Sequence, residues 1–112
     1  MKAVVTRFKE EKAGVFQKGN LKACDLVPKG METNLIFHYV KLRESSVTEP
    51  EENDVDKTFL VLNGSGSVEV DGQNLQISPG DALWLSKGSS HVIKNGVKEL
   101  EFIVVKKKGE IK

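Results

Sequence analysis

The feature that most constrains the fold is the punctuation of residues 58–105. Turn signals recur at short intervals: Gly64-Ser65-Gly66, Asp71-Gly72, Pro79-Gly80, Gly88 and Asn95-Gly96. Between them lie short stretches rich in β-formers, at residues 58–63, 67–70, 73–77, 82–85, from His91 onward, and 99–105. Asp71-Gly72 and Asn95-Gly96 are the dipeptides that tight two-residue hairpins favour, because both central residues there need positive φ. No stretch has the period of an amphipathic helix. Many short strands with regular turns predict an all-β sandwich or barrel.

Side-chain parity predicts which faces are covered. In the hairpin from Ser67 to Ile77, Val68, Val70, Leu75 and Ile77 alternate with Glu69, Asn74 and Gln76, so one face is buried and one is wet. Phe59 and Val61 oppose Leu60 and Leu62, and Leu100, Phe102 and Val104 oppose Ile103 and Val105. Both faces of those strands therefore want cover, and the outer set must meet the N-terminal segment or a second subunit. A homodimer is the expectation. Leu35 to Leu42 has apolar residues on both parities and is a further strand, with His38 on the side of Ile36, Val40 and Leu42.

The stretch from Pro79 to Asn95, PGDALWLSKGSSHVIKN, carries a more specific signal, since Gly80, Ser86, Gly88, His91 and Asn95 fall at the spacing G-x5-S-x-G-x2-H-x3-N. It resembles the second sequence motif of the cupin superfamily, with Ser86 where that family usually has proline. The resemblance covers residues 35–106 and implies a cupin-type jelly-roll barrel, a double-stranded β-helix of two packed antiparallel sheets. The fifteen residues between Gly64 and Gly80 match the spacing of small single-domain microbial cupins. On this reading residues 1–112 form one cupin domain, with a leader at 1–33, the barrel at 34–107 and a tail at 108–112. The leader is expected to pack on the barrel or on a partner subunit. Residues 3–8 and 21–27 are its candidate strands, and Gly14, Gly19 and Gly30 break it.

The family's first motif supplies two histidines and a glutamate, seven residues before a glycine, and these join the second-motif histidine to hold a divalent metal. Here Gly64 is that glycine, the glutamate position is Lys57, and the histidine positions fall on Glu51 and Asn53, or on Pro50 and Glu52. An inward ammonium at Lys57 would repel a divalent ion at ~5 Å by about 6 to 7 kcal/mol at an effective dielectric of ~20. No cofactor is therefore expected, although a one-residue register slip would turn Asp56 inward instead.

Three roles stay open for His91. It is a structural histidine of the barrel wall. Or it joins Lys57, His38, Phe59 and Trp84 in a largely apolar pocket with cationic anchors, suited to a small polar or anionic ligand. Or it ligates a divalent transition metal with Glu51, Glu52, Asn53 and His38, a donor set that manganese, iron or zinc tolerates. The family includes isomerases, epimerases, oxygenases and binding proteins, so the enzyme alternatives are an isomerase or epimerase using His91 and Lys57, or a metal-dependent oxygenase with atypical ligands. The favoured function is ligand binding in the barrel without the usual metal centre.

Composition removes other classes. With 17 Lys plus Arg against 16 Asp plus Glu in 112 residues, the net charge of +1 gives no field for nucleic acid or an anionic membrane. The start MKAVVTRFKEEK has no apolar signal-peptide region and the single cysteine, Cys24, excludes an internal disulfide, so a cytoplasmic protein is expected. Residues 44–56 carry six carboxylates, five of them from Glu49 to Asp56, and no glycine, which reads as a wet surface loop and not a calcium loop. Trp84 and Cys24 have packing roles as their simplest account, and Lys106 to Lys108 read as a solubilising end.

Overall fold

The computed structural model describes residues 3–28, 33–96 and 98–108. The Gly30 break and the tail beyond Lys108 lie outside the described residues. Ten strands run in the order β1 (Gly14–Phe16), β2 (Leu21–Asp25), β3 (Leu35–Leu42), β4 (Glu51–Glu52), β5 (Lys57–Asn63), β6 (Gly66–Val70), β7 (Gln73–Ile77), β8 (Ala82–Leu85), β9 (Ser90–Asn95) and β10 (Leu100–Lys107). They form a six-stranded sheet, β1-β2-β3-β10-β5-β8, and a four-stranded sheet, β4-β9-β6-β7, antiparallel throughout. The architecture is the expected all-β jelly roll. Among the described residues no helix is long and apolar enough to cross a membrane.

The core lies between the sheets and follows the sequence parity. Val40 and Leu42 of β3, Phe59 and Val61 of β5, and Leu100, Phe102 and Val104 of β10 point inward against Val68, Ile77 and Ile93 of the smaller sheet. Each such side chain, taken fully out of water, stabilises the fold by about 1.5–3 kcal/mol. The β6–β7 hairpin closes as its sequence predicts, with φ of 47° at Asp71 and 86° at Gly72. Gly64 has φ of 78°, and a Cβ there would sit 2.4 Å from the Glu99 carbonyl oxygen, so only glycine fits where β5 passes the start of β10.

Three expectations are corrected. Residues 3–8 form no strand: the leader crosses the outer face of the larger sheet, where Phe8 stacks on Tyr39 at 4.7 Å and Lys41 lies 5.0 Å over the Phe8 ring. The leader's sheet contribution comes from β1 and from β2, the strand expected within residues 21–27, and these cover the β3 edge of the same chain. Asn95-Gly96 makes no hairpin, because β9 and β10 belong to different sheets. The Asn95 side chain donates to the carbonyls of Leu42 and Arg43, tying the crossing to the end of β3. Finally, residues 44–56 are not simply a wet loop. Ser46, Thr48 and Asn53 are buried, Val47 bridges Lys94, and β4 pairs with β9. Backbone and short polar side chains together hold the loop at this edge: Thr48 Oγ1 accepts from the Ile93 amide at 2.8 Å, and the Ser89 carbonyl accepts from both the Asn53 backbone amide at 2.8 Å and Asn53 Nδ2 at 3.0 Å.

Candidate functional site

The site lies where the two sheets face each other at one end of the barrel. β5 starts with Lys57, whose side chain shares the inward parity of Phe59 and Val61 and is only 4% exposed. The register that would have turned Asp56 inward is not adopted; the Asp56 carboxylate instead accepts from the Lys87 backbone amide at 2.7 Å. On the opposite sheet, β9 presents His91 between Val70 of β6 and Glu51 of β4. The pairing of β4 with β9 therefore carries a carboxylate from the acidic segment to the second-motif histidine.

The three polar groups form a chain. Lys57 Nζ donates to Glu51 Oε1 at 3.1 Å, and Glu51 Oε2 lies 3.9 Å from His91 Nε2, an electrostatic contact longer than a hydrogen bond. The His91 ring meets Phe59 edge-on at 5.4 Å, and Phe59 tilts against Phe102 at 5.1 Å. Among the described residues, the buried His91 Nδ1 has no hydrogen-bond partner. Burial pushes the His91 pKa below its ordinary 6.5, with Glu51 pulling it up and Lys57 pushing it down by smaller amounts. His38 is lowered for the same first reason, with Asp25 opposing and Lys106 reinforcing the shift. Near neutral pH both rings are thus predominantly uncharged.

A cavity of about 260 Å³ opens beside this chain. Val40, Phe59, Phe102 and Val104 form much of its apolar wall, and His38, Lys57, His91 and Glu51 supply polar groups. Of the residues singled out from the sequence, His91, Lys57, Phe59, His38 and Glu51 are brought together here. Trp84 is not. It is 62% exposed on the outer side of the larger sheet, where it lines a second groove with Lys87 and Lys107, one that shares Lys57 and Lys106 with the cavity. Its partner across β5 is Thr58, on the opposite parity from Lys57 and Phe59. Glu52 is exposed opposite Ser90, and Asn53 is buried but committed to Ser89 rather than lining the cavity.

The sequence reading missed Lys106. It shares a parity with Phe102 and Val104 and lines the same cavity, which its place in a lysine run concealed. Thr48 and Glu49 also reach the rim, through long-range pairing that no local pattern announces.

The divalent centre that the cupin resemblance implies does not fit these residues. The glutamate position holds an ammonium already engaged with Glu51, so His91 and that shared carboxylate are the donors in contact, while His38 and Glu49 line the cavity without converging on them. Among the described residues no group of three or more His, Cys, Asp or Glu side chains converges to hold a metal ion.

Comparison with known proteins bears on the fold. The cupin domain family matches this chain over residues 38–106. A predicted oxalate decarboxylase from Thermotoga maritima superposes with a TM-score of 0.78 at 23% identity, covering 94% of this chain and 98% of that one. A Cupin 2 conserved barrel domain protein from Salinispora arenicola gives 0.79 at 16% identity, over 96% and 91%. The polyketide cyclase RemF from Streptomyces resistomycificus gives 0.75 at 17%, over 93% and 80%. No curated protein matches the sequence. At these identities the likeness is one of fold, and the neighbours' differing activities select none for this chain.

Proposed function

This chain belongs to the cupin family, and we propose that it binds a small polar or anionic molecule between its two sheets without the family's usual metal centre. One observation carries the reading: an apolar cavity of about 260 Å³ ends in the convergent Lys57, Glu51 and His91 side chains. Apolar walls supply burial, and a few fixed polar groups supply orientation. Because both histidines have lowered pKa values, the charged members of the set are Lys57 and its partner Glu51, with Lys106 and Glu49 at the rim. The test is a screen of small organic molecules by ligand-observed NMR, repeated with His91→Ala and Lys57→Met. Hits lost in both variants support the pocket; hits retained in both place binding elsewhere.

A second reading, proton transfer by an isomerase or epimerase, is favoured by the way Glu51 contacts both Lys57 and His91. Such a chain can hold an acid and a base on one substrate. It requires solvent deuterium to enter the carbon beside a bound carbonyl, and that exchange to stop in both variants. Exchange surviving either substitution would refute it. An oxygenase is not supported, since the donors for its metal are lacking among the described residues.

The homodimer is proposed on the outer face of the larger sheet. Leu60, Leu62 and Trp84 remain 39%, 37% and 62% exposed there, on adjacent strands. An apolar patch rimmed by polar residues marks an association surface. Sedimentation equilibrium should give a dimer that Leu62→Lys dissociates; a monomeric parent protein would contradict this.

A further inference from the structure

Lys106 adds a demand that the fold itself does not meet. The β5–β10 register sets Lys106 directly opposite Lys57, and both line the cavity. Like charges directly opposite on one sheet face destabilise each other. Glu51 relieves Lys57 alone, and Lys106 makes no ion pair among the described residues. Glu49, the other carboxylate at the rim, is exposed, and its backbone amide is held by the Gln17 side chain at 2.8 Å. On the other side of Lys106, its β3 partner is Ile36, which puts His38 diagonally beside it on the inner face. One end of the cavity therefore holds a row of donors from three neighbouring strands, His38, Lys106 and Lys57, with the Glu51 carboxylate beside Lys57, and much of the remaining wall is aromatic and aliphatic.

We infer that the ligand is a small organic carboxylate, its acid group held by Lys106 and Lys57 and its apolar body resting on Phe59, Phe102 and Val104. The inference rests on the pocket-binding reading above and narrows its ligand class. A carboxylate between two ammoniums accepts charge-assisted hydrogen bonds from both and relieves the cross-strand repulsion, which a neutral isostere cannot do. Lys106 is thus the residue that sets anion preference, whereas the aromatic wall binds acid and amide alike.

The test titrates the full chain with 3-phenylpropanoate and with 3-phenylpropanamide, by calorimetry and by backbone amide NMR to locate each. The acid is expected to bind at least about tenfold more tightly than the amide, the difference that hydrogen bonds to charged groups make. Lys106→Met should abolish that preference, weakening the acid much more than the amide, and Lys106→Arg should restore it. Equal binding of acid and amide at the cavity would overturn the carboxylate inference and leave the pocket intact. If neither compound shifts the amides of Phe59, His91 and Phe102, the pocket reading fails with it. A preference that survives in Lys106→Met would remove Lys106 from its role.

Discussion

Removing the two members of the Lys57–Glu51 pair one at a time should have unequal effects on stability. At their 3.1 Å separation and an effective dielectric of about 20, the attraction is about 5 kcal/mol. Much of it offsets the desolvation of the ammonium, because the Lys57 side chain is 3% exposed while that of Glu51 is 55% exposed. Glu51→Gln keeps the shape and an oxygen for Nζ but removes the counter-charge, leaving a buried cation. A fully buried pair broken this way costs about 3–5 kcal/mol; with Glu51 half in water, about 1–3 kcal/mol is expected. Lys57→Met removes the buried charge itself and leaves a carboxylate that water can solvate, so it should lie within about 1 kcal/mol of the parent or above it. The double variant should recover most of the Glu51→Gln loss. Urea unfolding at neutral pH, followed by far-ultraviolet circular dichroism with unchanged m-values, reads all four proteins. If Lys57→Met proves the costlier single change, the ammonium does not carry the desolvation and the account of the site fails.

Two further predictions concern the same residues. Lys57→Glu places a second carboxylate beside Glu51 and His91, so affinity for manganese or nickel should rise by at least about tenfold in calorimetry; no gain would mean that position 57 does not face His91. The lowered His91 pKa makes folding oppose protonation: as pH falls below the ordinary 6.5, the unfolded chain takes up a proton before the folded one does, and stability declines until the folded ring titrates. Stability should therefore fall between about pH 7 and pH 5 more steeply in the parent than in His91→Gln, and parallel slopes would contradict the shift.

The barrel was legible because its signals are local. Alternation in residues 67–77 and the Asp71-Gly72 turn fix a hairpin without reference to the rest of the chain. Asn95-Gly96 has the same local chemistry, but the next strand joins the other sheet, and no dipeptide announces that crossing. Lys57, His91 and Glu51 could be placed through parity and motif spacing, whereas the choice of Glu51 over Glu52 and Asn53 as the neighbour of His91 rests on a two-residue strand pairing across 40 positions of sequence. Trp84 was misplaced because β8 is apolar on both parities: Leu83 and Leu85 turn toward the core, and period alone cannot choose between them and the indole. Lys106 was hidden by composition, since a lysine run reads as solvent-facing even where the strand alternation turns one member inward.

The central claim is that this cupin holds a ligand pocket in which the Lys57 ammonium stands where the family's metal set would have a carboxylate. Elemental analysis of protein purified without a metal-affinity tag, before and after incubation with manganese, iron, nickel and zinc, tests it most directly. The account predicts well under one transition metal per chain in every sample. A stoichiometry of about one tightly held metal per chain would contradict it and would make His91 and Glu51 ligands.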